Sequence, residues 1–192
     1  MTRLALLAAL LLSACAIVPR SDGPQILFWQ RLWALCGQSY AGRVVSDDPA
    51  DREMAASRLV MHVSTCTPQA VRIAFHVGAD RSRTWVISRT ATGLRLKHDH
   101  RHRDGSEDAR SQYGGDTVSS GSARRQEFPA DRFSRALFVR ENIPASAANV
   151  WAVEIVPGRS FAYALDREGR HFRVEFDLTR RVAPPPPAWG AR

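Results

Sequence analysis

Histidine occupies every second position at the end of the stretch LRLKHDHRHRDG: His98, His100 and His102. Side chains of an extended strand alternate between its two faces, so this spacing aims three imidazoles to one side. Three on one face can supply a facial ligand set for a transition metal, and haem iron is ligated by the same ring. Alternate Cβ atoms along a strand lie about 6–7 Å apart, so the three rings must bend toward any common ion. Two of them with a third donor from elsewhere is the easier geometry. Asp104, Glu107, Asp108 and Asp116 in the following segment are candidates for that donor, as are His62 and His76. The same mixture of acids and bases, HDHRHRDGSED, equally suits a hydrogen-bonded network that fixes a long loop. Recognition of a ligand, or acid–base chemistry, is the third reading open to imidazoles at this place.

Other reactive constellations are missing from the sequence. There is no G-x-S-x-G elbow, no H-E-x-x-H pair and no phosphate-binding loop. Ser64, Ser82 and Ser88 have no positional claim to be nucleophiles, and Arg83 and Trp85 in SRTW read as packing plus an ion pair. His171 shares the polar side of its strand with Arg173, Glu175 and Asp177 and reads as solvated. His62 and His76 read as surface residues. The balance leans away from an enzyme, with a metal-dependent one built on His98, His100 and His102 as the remaining catalytic option.

The elements that must position these residues are strands. From Tyr40 onward apolar residues recur with period two: Leu59, Met61, Val63; Ile73, Phe75, Val77; Leu94, Leu96. The pattern returns in Trp151, Val153, Ile155, then Phe161, Tyr163, Leu165, then Phe172, Val174, Phe176, Leu178. Turn residues Thr92-Gly93, Pro157-Gly158 and Glu168-Gly169 separate them. Short half-buried strands joined by tight turns predict an antiparallel meander of about eight strands, closing into an up-and-down barrel, with a sandwich as the competitor. Leu94 and Leu96 share parity with the histidines, so the imidazoles should extend from the core side toward one mouth. Two helices interrupt the meander. PQILFWQRLWALCG is amphipathic, with Trp29 and Trp33 on the face expected to pack on the body, and Gly37 placed to end it. FPADRFSRALFVREN should turn Phe133, Leu137 and Phe138 inward and cap a mouth. DPADREMAAS is a short helix or turn. The segment 103–126 reads as a long loop, with a hairpin after Tyr113-Gly114-Gly115 as an alternative, and APPPPAWGAR as an extended tail.

The N-terminus carries an address. Arg3 precedes an apolar run from Leu4 to Leu12, which is far short of the roughly 20 residues that span a bilayer and matches a secretory signal. Leu12-Ser13-Ala14-Cys15 resembles the lipobox of bacterial lipoproteins. The resemblance implies cleavage before Cys15, acylation of its thiol (the palmitate type of modification), and anchoring of the chain by lipid. Ala16, where an Asp would imply inner-membrane retention, points to the outer membrane with the domain facing the periplasm. Cys36 and Cys66 then remain, and two thiols in an oxidising compartment most simply form one disulfide.

The formal charge is +8, from 27 Lys and Arg against 19 Asp and Glu, and Lys97 is the only lysine. The cations are dispersed beside acids and form no concentrated tract, which argues against a nucleic-acid partner. Weak attraction to anionic lipid or polysaccharide is the natural consequence of the charge.

The strings SRTW, LKHDHRHRDG, YGGDT, QEFPAD and NVWAVEI resemble a group of uncharacterised bacterial secreted proteins and lipoproteins. That resemblance implies no activity. In architecture the meander is similar to the calycin barrels: lipocalins, fatty-acid-binding proteins and nitrobindin-like haem proteins. The organisation expected is a signal peptide at 1–14, a lipidated tether at 15–24, one barrel domain at 25–182 and a proline-rich tail at 183–192. The leading expectation is a lipid-anchored barrel that binds a small apolar ligand or cofactor. The rival is a structural or envelope-interaction lipoprotein whose barrel is filled by side chains.

Overall fold

The computed structural model describes residues 23–191. Cys15, the lipobox and the expected signal peptide lie outside them. Among the described residues ten strands form one antiparallel meander: β1 (Ser39–Val44), β2 (Leu59–Cys66), β3 (Ala70–Val77), β4 (Asp80–Arg89), β5 (Leu94–His100), β6 (Tyr113–Asp116), β7 (Arg125–Pro129), β8 (Val150–Val156), β9 (Ser160–Arg167) and β10 (Arg170–Arg181). Their order is β6-β5-β4-β3-β2-β1-β10-β9-β8-β7, so the first and last strands pair and every neighbour is antiparallel. This is a nearly closed up-and-down barrel. The count exceeds the eight expected because β6 and β7 are short and β6 reads Tyr-Gly-Gly-Asp, which carries no alternation.

Those two glycines serve the closure. A Cβ on Gly114 would fall 1.9 Å from the Leu96 carbonyl oxygen, and one on Gly115 1.8 Å from that of Pro129. Only a bare backbone fits between β5 and the end of β7. β6 and β7 share no ladder. Across the gap the Asp131 amide donates to the Gly114 carbonyl at 2.9 Å. The fully buried Ser134 hydroxyl lies 2.7 Å from both the amide nitrogen and the carbonyl oxygen of Gly114, standing in for a missing strand residue.

The interior is filled from wall to wall. Trp85 of β4 stacks on Phe75 of β3 at 4.7 Å and on Tyr163 of β9, on the far wall, at 4.4 Å. Phe161 and Phe176 surround the same indole at 6.3 and 6.2 Å. Such offset stacks add to the large area that aromatic side chains bury.

One mouth is closed by α1 (Pro24–Trp33), which buries Phe28, Trp29 and Leu32 in the core. Trp33 departs from the expected packing and is 38% exposed, as is Ile26 at 48%. The helix is followed by Cys36, which forms the expected disulfide with Cys66 at the end of β2, over a Cα–Cα distance of 6.2 Å. After the short α2 (Arg52–Ala55), the third helix, α3 (Arg132–Arg140), lies beside the seam. It is capped by the Asp131 side chain on the Ser134 amide. Its buried face is Ser134, Leu137 and Phe138, the i, i+3, i+4 set. Phe133 falls about 100° off that face and is 51% exposed beneath Lys97, correcting the expectation that it points inward.

The proline-rich tail docks on the outer wall. Val182 donates to the Ser39 carbonyl at 2.9 Å, the Arg81 guanidinium to the Pro187 carbonyl at 3.1 Å, and the Trp189 amide to the Arg81 carbonyl at 3.0 Å. It runs past Val60 and His76, whose parity points them away from the core, and both are buried.

Candidate functional site

His98 sits mid-wall on β5, opposite Trp85 in the β4 register and Tyr113 in the β6 register. The parity argument holds for it: the ring points inward and is 2% exposed. Its Nδ1 lies 3.0 Å from the Tyr113 carbonyl oxygen, and its Nε2 lies 2.7 Å from the Tyr163 hydroxyl. A carbonyl can only accept, so Nδ1 carries the proton and the neutral ring accepts at Nε2 from the tyrosine O–H. The imidazole stacks on the Tyr113 ring at 4.4 Å and meets Trp151 at 5.1 Å. Burial drives its pKa down to about 3, with the charges of His100 and Lys97 adding and the Tyr113 carbonyl bond opposing.

His100 is half-buried on the same side, its ring 6.5 Å from that of His98 and inclined at 64°. Its Nε2 lies 3.2 Å from the Tyr113 hydroxyl. Burial first, then the neighbouring Arg83 charge, lowers its pKa to about 4. Arg83 itself is paired with Asp80. Desolvation raises the Tyr113 phenol to about 12. Phe138 of α3 and Trp151 of β8 complete the cluster around Tyr113, at 5.4 and 5.6 Å.

His102 does not join them. The strand stops at His100, because Arg101 bridges to Glu107 and His102 enters a turn whose amide bonds the Ser106 carbonyl at 2.9 Å. Its side chain is 56% exposed, with Nδ1 3.9 Å from the Asp108 carboxylate. The expected row of three on one face is therefore a row of two.

The other proposed donors are committed elsewhere. Asp104 accepts from Ser106, Glu107 from Gln112, and Asp116 from Arg95; Asp108 accepts the Arg110 amide. His62 bonds Ser39, and His76 lies on the opposite face of the wall. Among the described residues no group of three or more His, Cys, Asp or Glu is arranged to hold a metal. A metal at His98, His100 and His102 does not fit this donor set, since both nitrogens of His98 already have protein partners. Haem does not fit the interior either, where facing rings are in contact.

No protein-family model, curated protein or solved structure matches this chain. Function has to be read from the side chains.

What the histidine cluster does chemically is tie β5, β6 and β9 together through one neutral imidazole. Its hydroxyl–imidazole pairs, Tyr163 with His98 and Tyr113 with His100, are hydrogen-bonded within the cluster. The residues that sequence reasoning missed are its partners. The period-two pattern puts Tyr163 on the inward side without giving it a role, and Tyr113 falls in the segment that reads as a long loop. A buried imidazole requires partners, and an inward-facing tyrosine is the sequence signal that could have named one. Trp151 is the exception within the cluster, because its buried indole Nε1–H has no hydrogen-bond partner.

Cavities open at the α1 mouth, where buried core residues line one, and on the outer wall. One of about 800 Å³ lies beside α1 and is lined by Arg31, Leu35, Tyr40, Ile155, Pro157 and Leu178. Another, of about 450 Å³, lies under the tail between Arg58, His76, Arg81 and Arg103.

Proposed function

We propose that the protein is a lipid-anchored envelope lipoprotein, held in the outer membrane through Cys15 and facing the periplasm, whose barrel is a filled scaffold that makes its interactions on its outer surface. The observation that carries this reading is the contact of rings from opposite walls, Trp85 with Tyr163 and His98 with Tyr163, which leaves the interior to side chains. The disulfide between Cys36 and Cys66 supports export to an oxidising compartment. In this reading the histidines are structural, and no step of chemistry is assigned to them.

A second reading, a small apolar ligand or cofactor inside the barrel, is favoured by one observation. The unpartnered Nε1–H of Trp151 could donate to a ligand acceptor if Phe138 and Tyr113 moved aside. Native mass spectrometry of the processed protein decides between the two. The filled scaffold gives only the mass of the covalent, acylated polypeptide, whereas an additional noncovalently retained small molecule that is lost in Trp151→Phe establishes the second reading. The anchor is tested separately: Cys15→Ala should abolish acylation and release the protein from the membrane fraction. A variant that stays membrane-bound and normally processed overturns the lipoprotein assignment.

A further inference from the structure

The outer cavity of about 450 Å³ is bounded on one side by β2, β3 and the turn around Gly78, and on the other by the tail at Ala183–Pro186. Three guanidinium groups line it: Arg58, Arg81 and Arg103. Arg81 gives one nitrogen to the Pro187 carbonyl, and Arg58 and Arg103 have no carboxylate partner among the described residues. The acids nearby are already engaged. Asp80 is held by Arg83 and the Ser82 amide, and Asp104 by the amide and hydroxyl of Ser106. His76 also lines the cavity, and its buried Nε2 has no hydrogen-bond partner. The tail side is a row of prolines from Pro184 to Pro186, which offers no amide hydrogens and holds its shape without being ordered on binding.

Buried polar atoms in native proteins are nearly always paired, so an orphaned nitrogen beside free cations signals a missing partner. Guanidinium forks bind tetrahedral and planar oxyanions bidentately, and several around one cavity favour multiple charge over a single carboxylate. The volume lies within the range of small-molecule sites.

From this geometry we infer that the cavity under the tail binds a phosphate-type oxyanion, with Arg58, Arg81 and Arg103 carrying the charge and His76 Nε2–H donating to a ligand oxygen. A phosphate ester free in solution and a phosphorylated lipid headgroup share this chemistry. The site stands independently of the lipid anchor and of the filled interior.

The test uses purified full-length protein, with inorganic pyrophosphate followed by titration calorimetry and thermal unfolding. Pyrophosphate should bind saturably, raise the melting temperature and move the imidazole NMR signals of His76. Arg58→Gln and Arg103→Gln, both at exposed positions, should each weaken binding at least tenfold, the usual loss for one charge-assisted hydrogen-bonding partner. Arg95→Gln, which breaks a pair with Asp116 elsewhere on the surface, should leave binding unchanged. A second arm compares phosphatidylcholine vesicles with and without phosphatidic acid. Binding that needs phosphatidic acid and is lost in Arg58→Gln/Arg103→Gln assigns the source to a headgroup, and binding of pyrophosphate alone assigns it to a soluble ester. Failure of both probes to bind, or equal binding by the double variant, overturns the proposal, as does a His76 signal that stays still on saturation.

Discussion

His98 and His76 are both nearly sealed from solvent, at 2% and 4% exposure, and both have pKa values lowered first of all by burial. They face opposite sides of the same wall. On the inside, His98 has a partner for each nitrogen and stacks between aromatic rings. On the outside, His76 lies under a strap of prolines with Nε2 unpartnered and cationic groups around it. Burial alone therefore does not separate a structural histidine from a binding one. Satisfaction of its hydrogen bonds does, because an unpaired buried nitrogen is tolerated where a ligand completes it.

The sharpest way to break the comparison is to delete each ring. His98→Ala removes a packed side chain and strands the Tyr163 hydroxyl in an apolar interior, and should destabilise the protein by about 3–5 kcal/mol. His76→Ala forfeits no hydrogen bond at Nε2 and should cost no more than about 1–1.5 kcal/mol. Urea unfolding of the two variants measures the difference. Equal losses would mean that both histidines are structural.

The inner histidine was largely legible in the sequence and the outer one was not, for physical reasons. Period-two alternation fixed which side His98 faces, since Leu94 and Leu96 share its parity and belong to the core. The same alternation continues through His102 with no turn signal before Asp104-Gly105, so the end of β5 at His100 had to come from the long-range Arg101–Glu107 bridge. Strand β6 was illegible because the closure demands glycine at 114 and 115 where a pattern would need apolar residues, and β7 because one of its two buried positions is the polar Gln126. His76 obeyed its parity and pointed outward, but it is buried and not the surface residue expected. What covers it is the tail, and four consecutive prolines specify an extended conformation without specifying where it docks.

Acid should act on the inner histidine more than on the rest of the wall. Above about pH 6.5 the imidazole is neutral in both folded and unfolded chains, and stability is at its plateau. Below it the unfolded chain takes up a proton that folded His98, with its pKa near 3, refuses. Stability then falls by about 1.4 kcal/mol per pH unit, or about 2–3 kcal/mol between pH 6.5 and 4.5. His100, lowered to about 4 and partly solvated, adds in the same direction, as does His76. The carboxylates of Asp99, Asp131 and Glu154, held low against their arginine and lysine partners, come into play only at more acidic pH. The pH dependence of urea midpoints should therefore flatten by about one proton in His98→Ala. An unchanged slope would place the acid sensitivity elsewhere.

The smallest effect isolates a single hydroxyl. Tyr163→Phe keeps the ring that stacks on Trp85 but removes the O–H that donates to His98, leaving Nε2 in the condition of His76 Nε2. With no water path to a fully buried acceptor, the loss should be about 1–2 kcal/mol, the price of an unsatisfied buried group. Tyr113→Phe deletes a bond of 3.2 Å to the half-buried His100, which water can replace, and should cost less than about 1 kcal/mol. The ordering of the two variants is what matters. If Tyr113→Phe proves the more damaging, the stable element inside the barrel is the rim around His100, and His98 is no better satisfied in solution than its counterpart under the tail.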